Sequence, residues 1–538
     1  MSKEIDSLEK MESSDSIERR VENLAVELLN CGVDVVVGIP GTGPVLNFVS
    51  KFQEHGGRFL LCKNEASAPI IAGTIGRREN KPIVVVCANG TARTNLLSGI
   101  LHCWFEKLPV IALWDSYSRE IPEFQCLQRL PVHDFSPFFN VLLDGLGSNA
   151  SEISRFLLMA VSEPNYGPVG VHLRVSNEPI LYKQKVNTYK KSNDSLGDFV
   201  SGRQFTKPVL IFGAGAARSG IGEEIRKQFS DLQIPILTTI GSKGLISENN
   251  EFNLRVFTGV GGVHTPENMV LNKTDIIIGV NLRHSDVIKV KAFDKPALLF
   301  DFSRLDESYG FCGKQCFIDS VSGLKENILE NVETSWTLKD CRDIMAEAEK
   351  YILTENNEAG RLIHEASKKL DGIATVVVDD GIYQKHSEYF WITDYYKQYI
   401  STGVGRNMGS ALPAALGLAL RYPEENVICL SGDGGLPLFL GELGMLCDQK
   451  HGKLLIIHFA DLALGSMKTK KLNNIDKLVE TPVSYCEVFK VFGFKSHNAK
   501  SVSEALKIVD EWKTNNYDVF LEFQLKKDKY PETFFLLR

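Results

Sequence analysis

The sequence predicts an α/β protein built from three doubly wound parallel-sheet domains. Short β-branched runs alternate with longer amphipathic stretches along the 538 residues, the rhythm of repeated βαβ units. The runs are apolar throughout rather than alternating, as expected of strands covered on both faces. Twelve stand out, at residues 35–38, 83–87, 110–113, 169–173, 209–212, 236–239, 275–280, 297–300, 375–378, 427–430, 454–459 and 519–523. Twelve strands suit three sheets of ordinary size better than one very large sheet.

Two shifts in composition divide the chain. One is the polar stretch 183–198; the other is the charged, helix-like segment 338–370. They give a polar N-terminal tail at 1–17 and domains at 18–182, 200–333 and 365–538. A hydrophobic content of 43% with 24% charged residues fits a globular protein. The net charge of −7 argues against a nucleic-acid surface, which needs clustered Lys and Arg. No apolar run reaches the roughly 18–20 residues that span a bilayer. The charged N-terminus lacks the apolar core of a secretory signal. The 11 Cys are scattered, with no C-x-x-C pair, so neither a zinc site nor a disulfide framework is expected. A reducing cytoplasm is the expected location.

The strongest local signal lies in the third block. The strand at 427–430 runs into Gly432-Asp433-Gly434-Gly435. At the C-terminal end of a parallel strand, glycines let the backbone approach a diphosphate, and a carboxylate can ligate a hard cation. Taken alone, the tetrapeptide reads equally well as a plain turn. The next strand, at 454–459, ends at Asp461-Leu462-Ala463-Leu464-Gly465, with Asp461 standing 28 residues after Asp433. Upstream are Asp380-Gly381-Ile382-Tyr383-Gln384 and a segment with Arg406, Met408 and Leu412-Pro413-Ala414-Ala415. In the first block Gly41 and Thr42 form a turn after the first strand. Glu65 opens the charge-free stretch 66–73, where desolvation should raise its pKa. A lone carboxylate there is ordinarily a solvated helix-start charge. Glu123-Phe124-Gln125 follows farther on.

Together these segments resemble the thiamine-diphosphate (ThDP) enzymes, and within them the acetolactate synthases, from about residue 18 to about 525. The resemblance implies Mg²⁺ held by Asp433, by Asp461 (where the family has Asn) and by the carbonyl of Ala463. It implies ThDP contacts from Gly381, Tyr383, Arg406, Met408, Gly432, Gly434, Gly435, Leu464 and Gly465, with Met408 wedged between the two rings of the cofactor. Gly41 and Thr42 would contribute from the first block. Glu65 would hydrogen-bond or protonate N1′ of the pyrimidine, and Gln125 would lie beside the substrate. The implied domains are pyrimidine-binding, central and diphosphate-binding.

The implied reaction is decarboxylation of a 2-oxo acid, then carboligation to a second carbonyl acceptor, in a homo-oligomer (dimer or tetramer) with sites at the subunit interface. The sequence departs from the family at Ile382 and Tyr383, which replace Gln and His, and at Ala88-Asn89-Gly90-Thr91, which replaces Gly-Pro-Gly. The His-His pair of pyruvate decarboxylases is absent. Two alternatives stay open: a simple decarboxylase releasing an aldehyde, and a non-catalytic paralogue or regulatory subunit. Gly213-x-Gly215 in the middle block lacks the third glycine of a dinucleotide fingerprint. It resembles a central domain that holds FAD, ADP or no nucleotide, and FAD is not expected. Lys468, Lys470 and Lys471 form either a solvated face or a hold on an anionic acceptor.

Overall fold

The computed structural model describes residues 18–117, 204–302 without 219, 284–285 and 289–292, and 313–538 without 371 and 471. Between 118 and 203 it describes 121–122, 125–126, 128, 137–145, 151, 154, 158, 166–174 and 180–183. The chain divides into two compact units. The first is Met1–Val186 with Leu416–Leu418 and Gly441–Gln449; the second is Asn187–Ala415 with Ala419–Leu440 and Lys450–Arg538.

In the first unit, strands β1 (Val35–Ile39), β2 (Arg58–Leu61), β3 (Ile83–Cys87), β4 (Val110–Asp115), β5 (Val141–Asp144), β6 (Val169–Leu173) and β7 (Ile180–Lys183) form one sheet. Its order is β2-β1-β3-β4-β6-β5-β7. Six strands run parallel, as expected of a doubly wound domain, and the edge strand β7 adds an antiparallel pairing with β5. Val36, Val84, Val86, Ile111 and Leu113 pack on one face of this sheet with Phe48 and Phe52.

The second unit holds two sheets. One contains β8 (Pro208–Phe212), β9 (Ile236–Thr238), β10 (Asn253–Val256), β11 (Ile276–Val280), β12 (Ala297–Asp301) and β13 (Lys314–Phe317), in the order β10-β9-β8-β11-β12-β13. The other contains β14 (Ala374–Val378), β15 (Tyr399–Ser401), β16 (Asn426–Gly432), β17 (Leu454–Ala460), β18 (Lys495–Ala499) and β19 (Val519–Gln524), in the order β15-β14-β16-β17-β19-β18. Both are wholly parallel. All twelve expected strands are present. Six of the seven others (β2, β7, β10, β13, β15 and β18) are sheet edges. An edge strand needs less apolar cover, so β18 can read Lys-Ser-His-Asn-Ala without an apolar run.

The order of the first sheet reverses between β1 and β3, and that of the third between β14 and β16. In open α/β sheets ligands bind beyond the carboxyl ends of the strands at such switch points. Asp379, Asp433 and Asp461 immediately follow β14, β16 and β17, which are neighbours in the third sheet. Among the described residues no helix is long and apolar enough to cross a membrane.

Candidate active site

Asp433 and Asp461 are both nearly inaccessible, at 3% exposure each. The parallel pairing of β16 with β17 sets their two strand ends side by side. Asp433 Oδ2 accepts from the backbone N–H groups of Asp461 and Leu462, at 2.9 and 2.8 Å. Leu462 supplies its N–H from a left-handed conformation, φ 55°. The second oxygen of each carboxylate, Asp433 Oδ1 and Asp461 Oδ2, is buried without a hydrogen bond, although His458 Nε2 stands 3.2 Å from Asp433 Oδ1. Burial, and then the charge of Asp433 beside it, pushes the Asp461 carboxyl up to about 8. Two carboxylates in one dry place repel each other, and a proton or a divalent cation relieves the conflict. The two orphaned oxygens therefore fit a hard cation. Ala463 faces Glu480 in an isolated antiparallel bridge whose hydrogen bonds are made by Leu462 O and Leu464 N, so its own carbonyl takes no part in that bridge. Among the described residues no cluster of three or more His, Cys, Asp or Glu gathers as a metal centre, so a cation here would draw on backbone oxygen and ligand oxygen.

The adjoining turn carries positive charge. Arg406 (φ 42°) and Lys385 both reach Asp380 Oδ1, at 3.1 and 3.3 Å. Arg406 Nη2 and Asn407 Nδ2 are buried donors without partners. Orphaned donors fit an anion, as orphaned acceptors fit a cation. The glycines of this region have close neighbours within the protein. A Cβ on Gly381 or Gly432 would strike the ring of Tyr383, which stacks on Phe459 with centroids 5.0 Å apart. One on Gly434 would meet Leu464 and the sulfur of Met408, and one on Gly465 would meet Asp461. Met408 itself is 40% exposed, free to touch something beyond its own unit's core.

Asp379 escaped sequence reading. It is fully buried, and both its oxygens accept from Gly409 N, at 2.9 and 3.0 Å, which pins the backbone next to Met408. A Cβ on Gly435 would collide with it. Burial pushes its carboxyl up to about 7. A carboxyl whose folded pKa lies above its unfolded value adds stability at low pH, and loses it as pH rises through the folded pKa. Wild type should therefore lose stability relative to Asp379→Asn between about pH 4 and 7, by at most about 4 kcal/mol. Urea unfolding of both proteins across that range checks this; parallel curves would contradict it. Tyr530 also went unnoticed. Its hydroxyl accepts from Tyr383 N at 3.0 Å, so the short C-terminal segment supports the helix Ile382–Phe390.

In the first unit, Glu65 stands just before the helix Ser67–Glu79, whose residues from Ser67 to Gly76 are all buried. A Cβ on Gly73 would crowd Leu108, and one on Gly76 would crowd the backbone of Lys81 and Pro109, so these glycines let the helix sink into the unit. Glu65 is half-buried, which falls short of the desolvation expected from its apolar surroundings in sequence. Asn95 Nδ2 donates to Glu65 Oε2 at 3.2 Å. Gly41 and Gly43 press against Asp115, another residue missed in the sequence, whose Oδ1 accepts from Val45 N at 2.9 Å. Thr42 and Gln125 are exposed, and Glu123 and Phe124 lie outside the described residues. Lys468 is paired with Asp476 at 2.9 Å and Lys470 is exposed, whereas Lys471 lies outside the described residues. Lys468 is thus already neutralised, which leaves less free charge for an anionic acceptor than the sequence suggested.

Comparison with known proteins matches three family models in chain order. Residues 19–128 match the thiamine pyrophosphate enzyme N-terminal TPP binding domain, 203–302 the central domain, and 379–523 the C-terminal TPP binding domain. The chain is 25% identical over 482 residues to a probable acetolactate synthase large subunit of Methanococcus aeolicus, covering 77% of this chain and 76% of that one. It is 24% identical over 528 residues to the acetolactate synthase large subunit of Lactococcus lactis, covering 90% and 89%. It is 23% identical over 487 residues to the isozyme 3 large subunit of Escherichia coli, covering 83% of each.

Proposed function

From the premise that this chain belongs to the thiamine pyrophosphate enzymes, and is a ThDP-dependent enzyme resembling acetolactate synthase, we propose that it decarboxylates a 2-oxo acid and joins the remaining fragment to a second carbonyl compound. In this reading the three domains are pyrimidine-binding (18–182), central (200–333) and diphosphate-binding (365–538). Two chains pair so that one supplies Glu65 and the other Asp433 to each site.

The observation that carries the reading is the buried pair Asp433 and Asp461, each with an orphaned oxygen, beyond the carboxyl ends of adjacent parallel strands. These two, with the Ala463 carbonyl, would hold Mg²⁺ against the diphosphate. Arg406 and Asn407 would donate to the phosphate oxygens. Tyr383, Gly381, Gly432, Gly434, Gly435, Leu464 and Gly465 would shape the wall behind them. Met408 would support the cofactor rings, while Gly41 and Thr42 would border the pyrimidine. Bound ThDP would supply a nucleophilic carbon and an electron sink. Glu65 would hold a proton at the pyrimidine N1′, and Gln125 would stand beside the substrate. The missing His-His pair supports carboligation over aldehyde release, because that pair is what pyruvate decarboxylases use for proton transfer.

Incubation with ThDP, Mg²⁺ and a panel of 2-oxo acids, alone and in pairs, should release CO₂ and yield an α-hydroxyketone product. An aldehyde as sole organic product would overturn the carboligation. Binding of ThDP with no CO₂ from any acid would favour the non-catalytic alternative.

A further inference from the structure

Glu442 lies on the segment Leu436–Met445 and is 1% exposed. Its stretch, Gly441–Gln449, belongs to the compact unit of the first sheet although it is distant in sequence. Lys63 N donates to both of its carboxylate oxygens, at 3.1 and 3.0 Å. The backbone of Asn64 and the side chain of Ser67 stand close enough to the same carboxylate to favour its charged form. These groups bracket Glu65 on both sides. The loop adds its own ties: Asn64 Oδ1 accepts from Ala66 N at 2.9 Å, and Ser67 Oγ donates to Asn64 O at 2.7 Å. The helix Ser67–Glu79 has no side-chain cap from its own N-cap residue, Ala66. Glu442 is thus the buried acceptor for donors that the loop cannot satisfy itself.

We propose that Glu442 is the positioning residue for Glu65: by fixing the backbone of residues 63 and 64 it sets where the Glu65 carboxyl emerges. The catalytic consequence rests on the cofactor reading above; the hold on the loop does not. A carboxyl that must meet one ring nitrogen tolerates little displacement, since an error of about 1 Å can cost on the order of 10²-fold in rate. Burial raises the Glu442 carboxyl above its usual range, and the groups of the loop beside it offset that only in part.

The test compares wild type with Glu442→Ala and Glu442→Gln in the full-length protein. Three quantities are read: amide exchange of the 62–67 segment by mass spectrometry, ThDP affinity with Mg²⁺, and hydrogen–deuterium exchange at C2 of bound ThDP. In Glu442→Ala the 62–67 amides should exchange at least about tenfold faster, with β3 unchanged. Exchange at C2 should slow roughly 10–100-fold with ThDP affinity retained. Glu442→Gln keeps one acceptor but turns an NH₂ toward the donors, so it should fall between. A folded Glu442→Ala with wild-type C2 exchange overturns the proposal. So does an affinity loss that matches the exchange loss, which would mark a merely structural role. If Glu442→Ala does not fold, Glu442→Gln decides by the same two criteria. Should the wild type bind no ThDP, the cofactor reading falls, and the amide-exchange arm alone decides whether Glu442 holds the loop.

Discussion

Glu65→Gln is expected to slow hydrogen–deuterium exchange at C2 of bound ThDP by roughly 10²–10⁴-fold, the usual contribution of a general acid–base group. The substitution keeps the shape of the side chain and an oxygen that can accept from Asn95. It removes the proton that the proposed contact with the pyrimidine shares. ThDP affinity should change little, because the diphosphate, the cation and ring packing supply most of it. The C2 measurement needs no knowledge of the substrate, so it separates cofactor activation from substrate choice. Equal exchange in variant and wild type would remove Glu65 from its role. No acceleration over free ThDP in the wild type would instead point to a non-catalytic protein. Within its own compact unit Glu65 is only half-buried.

Asp433→Ala is expected to abolish measurable ThDP binding in the presence of Mg²⁺, the largest effect on affinity of any single substitution at this site. The loss has two parts. The cation that would balance the phosphate charges loses a carboxylate ligand. The N–H groups of Asp461 and Leu462 also lose their shared acceptor, and unpaired buried donors cost about 1–3 kcal/mol each. Asp461→Asn, by contrast, should retain ThDP binding. It removes a carboxyl that burial, and then the charge of Asp433, push up, and keeps an oxygen toward the cation. Calorimetric titration of ThDP into each protein with Mg²⁺ present, with circular dichroism as the fold control, checks both. Tight binding by a folded Asp433→Ala would refute the metal assignment. Loss of binding in Asp461→Asn would show that the second negative charge is essential.

The seven strands missing from the sequence reading show where such reading runs out. Central parallel strands must be apolar on both faces, so Val-Val-Val in β14 and Ile-Val-Val-Val in β3 stand out locally. Edge strands such as β18 are specified by their neighbours and carry little pattern of their own. The same division runs through the site. Asp433 and Asp461 could be singled out because each follows a recognisable strand and their segments resemble the ThDP-enzyme motif. Glu442, Asp379 and Asp115 could not, since a buried carboxylate looks in sequence like any solvated acidic residue.

What the sequence by itself determined was the α/β class, the three sheet-bearing blocks, twelve central strands and the residues that end them. These are short-range properties: apolar runs, glycine turns and carboxylates at strand ends. Only the tertiary structure decided that the oxygens of Asp433 and Asp461 stay orphaned, that Tyr383 packs against Gly381 and Gly432, that Lys468 is neutralised by Asp476, and that Glu442 caps the Glu65 loop from 379 residues away. Each depends on burial and on a partner remote in the chain. The pairing of carboxylate with amide is set by sheet register and packing, which no local stretch of sequence records.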